Sequence, residues 1–277
     1  MYYLMRMQEE LKASYAFVER NFNLVKRYWG WEVVWLIYSI ANSLAVTYIG
    51  AGMEKISGQA MDTEYLILYL LVGTLVWSYL SVVFNSISEM ISWERWEGTI
   101  EYTFMAPVRR STHMVGTTLF AVFYGILRTL VILGTVSLFF SLNLGQTNIL
   151  GAILVLLAGS ISFIGFGIVA ATLPLLFTER GSQMTQILQA LILLVSGVYY
   201  PIETLPGWMQ RIAVFSPATY VLRGMRKALL EAAPTGELTS YLLPLLLFGV
   251  VCIPLGVIFF SRVEVYVKRI GRLKRSG

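Results

Sequence analysis

The sequence predicts an all-α membrane protein with six transmembrane helices, and three observations carry that prediction. The 277 residues are 57% hydrophobic and only 13% charged, with a mean hydropathy of +0.68, whereas a soluble domain carries about 25% charged residues. Six windows, about 31–52, 64–91, 114–140, 149–177, 184–200 and 239–261, reach or approach the roughly 20 apolar residues that cross a ~30 Å hydrocarbon core. The basic residues between them are unevenly shared. Five precede the first window (Arg6, Lys12, Arg20, Lys26, Arg27), three lie in 92–113 (Arg95, Arg109, Arg110), one is Arg180 and six follow residue 261, fifteen in all. The alternate connections hold five: Lys55, Arg211, Arg223, Arg226 and Lys227. That bias places both termini in the cytoplasm, as an even number of spans requires.

Residues 1–30 predict an amphipathic interfacial helix. Leu4, Met7, Leu11, Tyr15, Val18, Phe22 and Val25 recur at steps of three and four, with Arg6, Glu9, Lys12, Glu19, Arg20 and Lys26 on the other face. Such a helix lies in the headgroup layer or packs on a partner subunit. It lacks the short apolar core and small-residue cleavage site of a signal peptide. Residues 31–261 then form the transmembrane domain, and 262–277 a basic cytoplasmic tail. Three windows exceed 25 residues, so their helices tilt or project beyond the lipid. The fifth window is the shortest and is expected to stop at Pro201, where a helix loses its next backbone donor.

Two connections are too apolar for plain loops. Residues 92–111, SWERWEGTIEYTFMAPVRRS, mix Glu94, Arg95, Glu97, Glu101, Arg109 and Arg110 with Trp93, Trp96, Ile100, Phe104 and Met105. This reads as a short amphipathic helix ending at Pro107, which either presents anchors to another protein or lies on lipid. The segment 201–232 holds Pro201, Pro206 and Pro217, too many for a spanning helix, yet it is rich in apolar and aromatic residues. Two short half-inserted helices, near 207–215 and 218–230, fit it, because broken backbone at membrane depth survives only within protein or along a cavity.

Several function classes find no support. There is no Gly-Lys pair, hence no phosphate-binding Gly-x4-Gly-Lys loop, and no His-Glu-x2-His or Gly-x-Ser-x-Gly. One Cys (Cys252) and one His (His113) exclude a disulfide scaffold or a Cys/His zinc cluster, so no metal site and no catalytic residue are expected. His113, at the start of the third window, reads as an interface residue with nothing nearby to orient it. The basic residues form no contiguous face with base-reading neighbours, which argues against nucleic acid.

The order Glu94-Arg95-x-Glu97-Gly98-Thr99-x-Glu101, followed by Pro107 and Arg109-Arg110, closely resembles the cytoplasmic loop of ABC type-2 exporter permeases, whose loop reads roughly Glu-Arg-x-x-Gly-Thr-Leu-Glu, then Thr-Pro and a basic residue. Ile100 replaces the usual Leu and Ala106 the usual Thr. Pro201, Pro206, Trp208, Pro217 and Tyr220 resemble the same family's re-entrant helices between spans five and six. The resemblance extends over essentially the whole chain. It implies that residues 92–111 form a coupling helix that docks on a separate ATPase subunit, with Glu94, Glu97, Gly98, Thr99 and Glu101 transmitting its motion. It also implies that ATP and Mg belong to that partner, and none to this chain. Two copies, or one copy with a close paralogue, would form the path across the cell (inner) membrane. The loop looks more like the drug-resistance branch than the polysaccharide branch, which suits an amphipathic or hydrophobic cargo. The remaining readings are a membrane scaffold without transport, a membrane enzyme, or export of polysaccharide or glycolipid.

Two polar stripes lie in the windows. Thr74, Ser78, Ser81, Asn85 and Ser88 share one face of the second, and Ser182, Gln186, Gln189 and Ser196 one face of the fifth. In the resembled family these two spans border the cavity, so the stripes are either path lining or interhelical hydrogen bonds. Arg128 lies deep in the third window, about 21 Å along. It is either an anion site or a structural residue bonding outer headgroups or free carbonyls near Pro201.

Overall fold

The computed structural model describes residues 2–58, 60, 62–140 and 147–271, with side chains from Gln8 onward. The end of the predicted basic tail (Arg272, Lys274, Arg275) and the side chains of Leu4, Arg6 and Met7 lie outside the described residues. Among those described the chain is all-α. Its helices are α1 (Tyr2–Arg27), α2 (Trp29–Ser57), α3 (Thr63–Ser88), α4 (Met90–Glu97), α5 (Ile100–Met105), α6 (Arg110–Val136), α7 (Ile149–Ala170), α8 (Thr172–Leu176), α9 (Gly181–Ser196), α10 (Gly207–Ala213), α11 (Pro217–Leu229) and α12 (Thr239–Arg269).

Five segments are long and apolar enough to cross a membrane: α2, α3, α6, α7 continued by α8, and α12. The fifth predicted window gives only α9, which has 16 residues and rises ~24 Å, short of a ~30 Å core. It ends at Gly197, with φ +70°, and not at Pro201. A glycine in the left-handed region closes a helix without a Cβ penalty. At the other extreme, α12 runs past the expected boundary at 261 to Arg269. Its extension is anchored by Glu264, which is buried and paired with Arg110 of α6 at 3.1 Å and with Lys268 at 2.6 Å.

The centre of the bundle is α3 against α7. Tyr79, Leu80, Val83 and Phe84 of α3 are fully buried, and the Tyr79 hydroxyl lies 2.6 Å from Ser160 Oγ of α7. Helix α12 approaches α7 closely at Gly165, where a Cβ would come within 2.6 Å of Cys252 Cβ. Small residues at such crossings let backbones meet where lipid gives no hydrophobic drive.

The first helix packs along α6 through its polar side. Ser14 Oγ donates to the Thr112 carbonyl at 3.3 Å, and Thr112 Oγ1 donates to the Glu10 carboxylate. Leu11, Tyr15 and Phe22 point away from the protein and are exposed. The predicted period is present, with these apolar side chains on the outward side of the helix. Gly116 of α6 makes the approach possible: a Cβ there would fall 2.5 Å from the Ser14 carbonyl oxygen and 2.6 Å from Phe17 Cβ. Gly116→Val is therefore expected to destabilise the fold by about 1–3 kcal/mol through overpacking. Thermal unfolding in detergent, with limited proteolysis at Lys12 and Lys26 reporting release of α1, checks this.

Candidate functional site

Residues 90–105 leave the bundle as two short helices where the sequence predicts one. Helix α4 ends at Gly98, with φ +74°. The Gly98 and Thr99 amides return to the carbonyls of Arg95 (3.1 Å) and Glu94 (2.9 Å), the closure typical of a glycine C-cap. Helix α5 ends at Ala106, extended as the residue before a proline must be.

The segment is pinned to its own chain by three charged side chains. Glu94 is 1% exposed. It is ion-paired with Arg20 of α1 and accepts from Thr99 Oγ1 at 2.7 Å and Thr103 Oγ1 at 2.8 Å. Burial pushes this carboxyl's pKa up, but the hydrogen bond and charge of Arg20 and the two hydroxyls outweigh burial and hold it below its ordinary value. Arg95, 5% exposed, donates to the carbonyls of Pro174 and Leu175 in α8, the second at 3.1 Å. These belong to a five-residue helix whose last carbonyls have no helical partner. Glu97 accepts from Tyr28 Oη at 2.7 Å and from Arg27 at 3.2 Å. His113 is not an interface residue: it is buried, its Nε2 lies 3.5 Å from Glu94, and its ring packs on Phe17.

What the segment shows to the outside differs from the charged motif. Ile100 and Phe104 are buried, while Tyr102 (79% exposed) and Met105 (82%) project outward with Trp96, Glu101 and Pro107 also exposed. Tyr102 was missed in the sequence reading. Its signal was the spacing from Ile100 and Phe104, two residues to either side, which sets it on the opposite helix face.

Beside this segment lies a groove of about 960 Å³ between α2, α3, α6 and α9, with α4 at one end. Ser78, Ser81 and Asn85 of the α3 stripe, Gln186 of α9 and Arg128 all line it. Thr74, Gln189 and Ser196 are not in the lining. Thr74 is buried and bonds back to the Leu70 carbonyl at 2.8 Å, and Ser196 shares a 2.8 Å hydrogen bond with Ser216. Thr74 thus bonds within its own helix, and Ser196 ties α9 to the start of α11. Ser88 is buried, and Ser182 bonds Ser92 at 2.7 Å. Arg128 donates to the Trp35 carbonyl and Ser39 Oγ of α2, both at 2.8 Å. Ser39 is ten residues into α2, so Arg128 stands about 15 Å above that helix's start.

The model of the ABC-2 type transporter family matches residues 13–230. The chain belongs to that family. It is an integral membrane protein and the transmembrane component of an ABC transporter, a permease of a family that normally pairs with ABC ATPase subunits. None of the curated proteins compared matches it.

The matched region of the permease includes the proline-rich stretch. Pro201 opens a 3-10 turn, Pro206 leads into α10, and Pro217 is the buried first residue of α11. Trp208 is exposed, and Tyr220 Oη donates to the Val214 carbonyl at 3.1 Å, tying α11 to the end of α10. Carbonyls near Pro201 do receive a guanidinium, but from Arg226 and not Arg128. Arg226 donates to Gly197 O (2.8 Å) and Val198 O (2.6 Å) and lies 3.5 Å from the Tyr69 ring centre. In the sequence it read only as a loop charge.

The Glu94 cluster makes an asymmetric prediction. Arg20→Met strands a buried carboxylate and is expected to cost about 3 kcal/mol or more. Glu94→Gln leaves Arg20 able to reach water and is expected to cost about 1.5–3 kcal/mol. The double variant should cost less than the sum, which thermal unfolding of the four proteins measures.

Proposed function

We propose that this permease is the path-forming subunit of an ATP-driven exporter of amphipathic or hydrophobic cargo. ATP and Mg act on a separate ATPase that docks under residues 92–110. The observation that carries the reading is that one short helix serves both regions: α4 bears Trp93 and Trp96, which line the groove, and Arg95 and Glu94, which fasten it to α8 and α1.

Movement of that segment by a docked ATPase would travel through rigid contacts. Arg95 holds the α8 carbonyls, Ser92 holds Ser182, and Glu89 accepts from Thr185, so α8 and α9 follow α4. Arg20 brings α1 along. Since α9 contributes Gln186 to the groove and α3 contributes Ser78, Ser81 and Asn85, displacing α4 changes the groove's width. Glu101, Tyr102, Met105 and Pro107 are the exposed surface for the partner. Large apolar residues left exposed on α2 and α9, such as Ile37, Ile187 and Leu191, support a second copy of the chain, or a paralogue, across the path. In this reading both termini are cytoplasmic, the site is the cell's inner membrane, α9 with its connections completes the sixth crossing, and no catalytic step falls on this chain.

Affinity purification from native membranes, with mass spectrometry of what co-purifies, tests the reading. A stoichiometric ATPase carrying a Gly-x4-Gly-Lys-Ser/Thr loop is expected. Its absence, even after crosslinking near residues 92–110, overturns the proposal. Replacing both Tyr102 and Met105 by Ala is expected to lower ATPase retention about tenfold or more, a loss on the hot-spot scale, without changing the permease's melting temperature. Ser81→Trp should block transport in reconstituted vesicles while the ATPase stays bound.

A further inference from the structure

We propose that the groove selects cations: amphiphiles with a quaternary, phosphonium-like or aromatic cationic headgroup. This rests on the groove being the path, and it adds a charge preference to that reading. Three features of the lining point to it.

The end of the groove nearest α4 is walled by two edge-to-face tryptophan pairs. Trp93 and Trp96 have ring centres 5.4 Å apart at 88°, and Trp31 and Trp35 lie 6.4 Å apart at 80°. All four are exposed, so their ring surfaces are not used up by the protein's own packing. The face of an indole attracts a cation through its quadrupole, and more strongly where water is scarce.

Glu32 and Glu89 also line this groove. One oxygen of Glu32 accepts from Tyr124, and one of Glu89 accepts from Thr185. Among the described residues neither carboxylate is ion-paired, unlike Glu94, Glu97 and Glu264. Two unpaired carboxylates on a groove wall are stabilised by a ligand cation, since opposite charges attract far more strongly away from bulk water.

The third feature is Arg128, the one basic residue of the lining among those described. Its Nη2 donates to both the Trp35 carbonyl and Ser39 Oγ of α2, so that end of the guanidinium braces α2 against α6, while the buried Nε has no hydrogen-bond partner. The lining therefore carries two carboxylates against one guanidinium, a net negative charge. A cationic head fits between Glu32, Glu89 and the tryptophans, and an apolar body continues past Trp35 and Val82.

The test uses two ions of nearly the same shape and opposite charge, tetraphenylphosphonium and tetraphenylborate. They are titrated against the full-length permease in lipid nanodiscs, with empty nanodiscs subtracted. Saturable tetraphenylphosphonium binding, about tenfold or more tighter than any tetraphenylborate binding, is expected. Glu32→Gln with Glu89→Gln should erase most of the difference. Equal or tighter binding of the borate, no saturable binding of either ion, or a phosphonium affinity unmoved by the two substitutions overturns the inference. If the double variant fails to fold, the comparison of the two ions on the unaltered protein still decides. A groove that is the path but has no charge preference would show blocked transport in Ser81→Trp and no preference between the ions. A groove that is not the path would leave transport intact in Ser81→Trp, whichever ion binds.

Discussion

Glu94 holds a negative charge where almost no water reaches, and the groups that stabilise it come from separate parts of the chain: Arg20 from α1, and Thr99 and Thr103 from the turn and helix that follow. A buried carboxylate is tolerated only when its lone pairs and charge are answered by well-placed donors. The geometry of the whole α4–α5 segment is therefore tied to the seating of α1 on α6. That seating depends in turn on a glycine, Gly116, and on polar contacts at Ser14 and Thr112. The apolar residues Leu11, Tyr15 and Phe22 are thereby left exposed.

The same end of the molecule is fastened twice more. Arg95 satisfies carbonyls of the five-residue α8, which would otherwise be orphaned at the bend between α7 and α9. Arg110 reaches the carbonyls of Thr103 and Phe104 while pairing with Glu264 of α12. Charged groups in this permease thus serve as braces between elements at one end of the bundle. Each makes several hydrogen bonds, which fixes relative position better than nonspecific apolar contact.

The groove has a different character. Three of its five serines and Asn85 come from α3 and Gln186 from α9, while most of its rings come from α2 and α4. The stripe on α3 divides along its length: Thr74 and Ser88 are sealed into helix contacts, and only Ser78, Ser81 and Asn85 reach the opening. A 3.6-residue period places side chains on one face but cannot say which neighbour that face meets at each level.

Composition, window length and the placement of Lys and Arg were enough to determine an all-helical membrane protein, and the Glu94–Pro107 motif was enough to point to its family, because both are written in consecutive residues. The short helices after Pro206 and Ser216 were legible for the same reason: prolines act locally. Tertiary structure alone decided that Glu94 and Arg95 face inward while Tyr102 and Met105 face out. It also decided that α9 stops at Gly197, that Arg226 and not Arg128 donates to the carbonyls near Pro201, and that His113 is buried beside Glu94. Each of these depends on partners about 20 to 80 residues away in the chain or on one backbone angle. Burial and pairing of a charge are settled by what packs against it, and a single stretch of sequence does not contain that information.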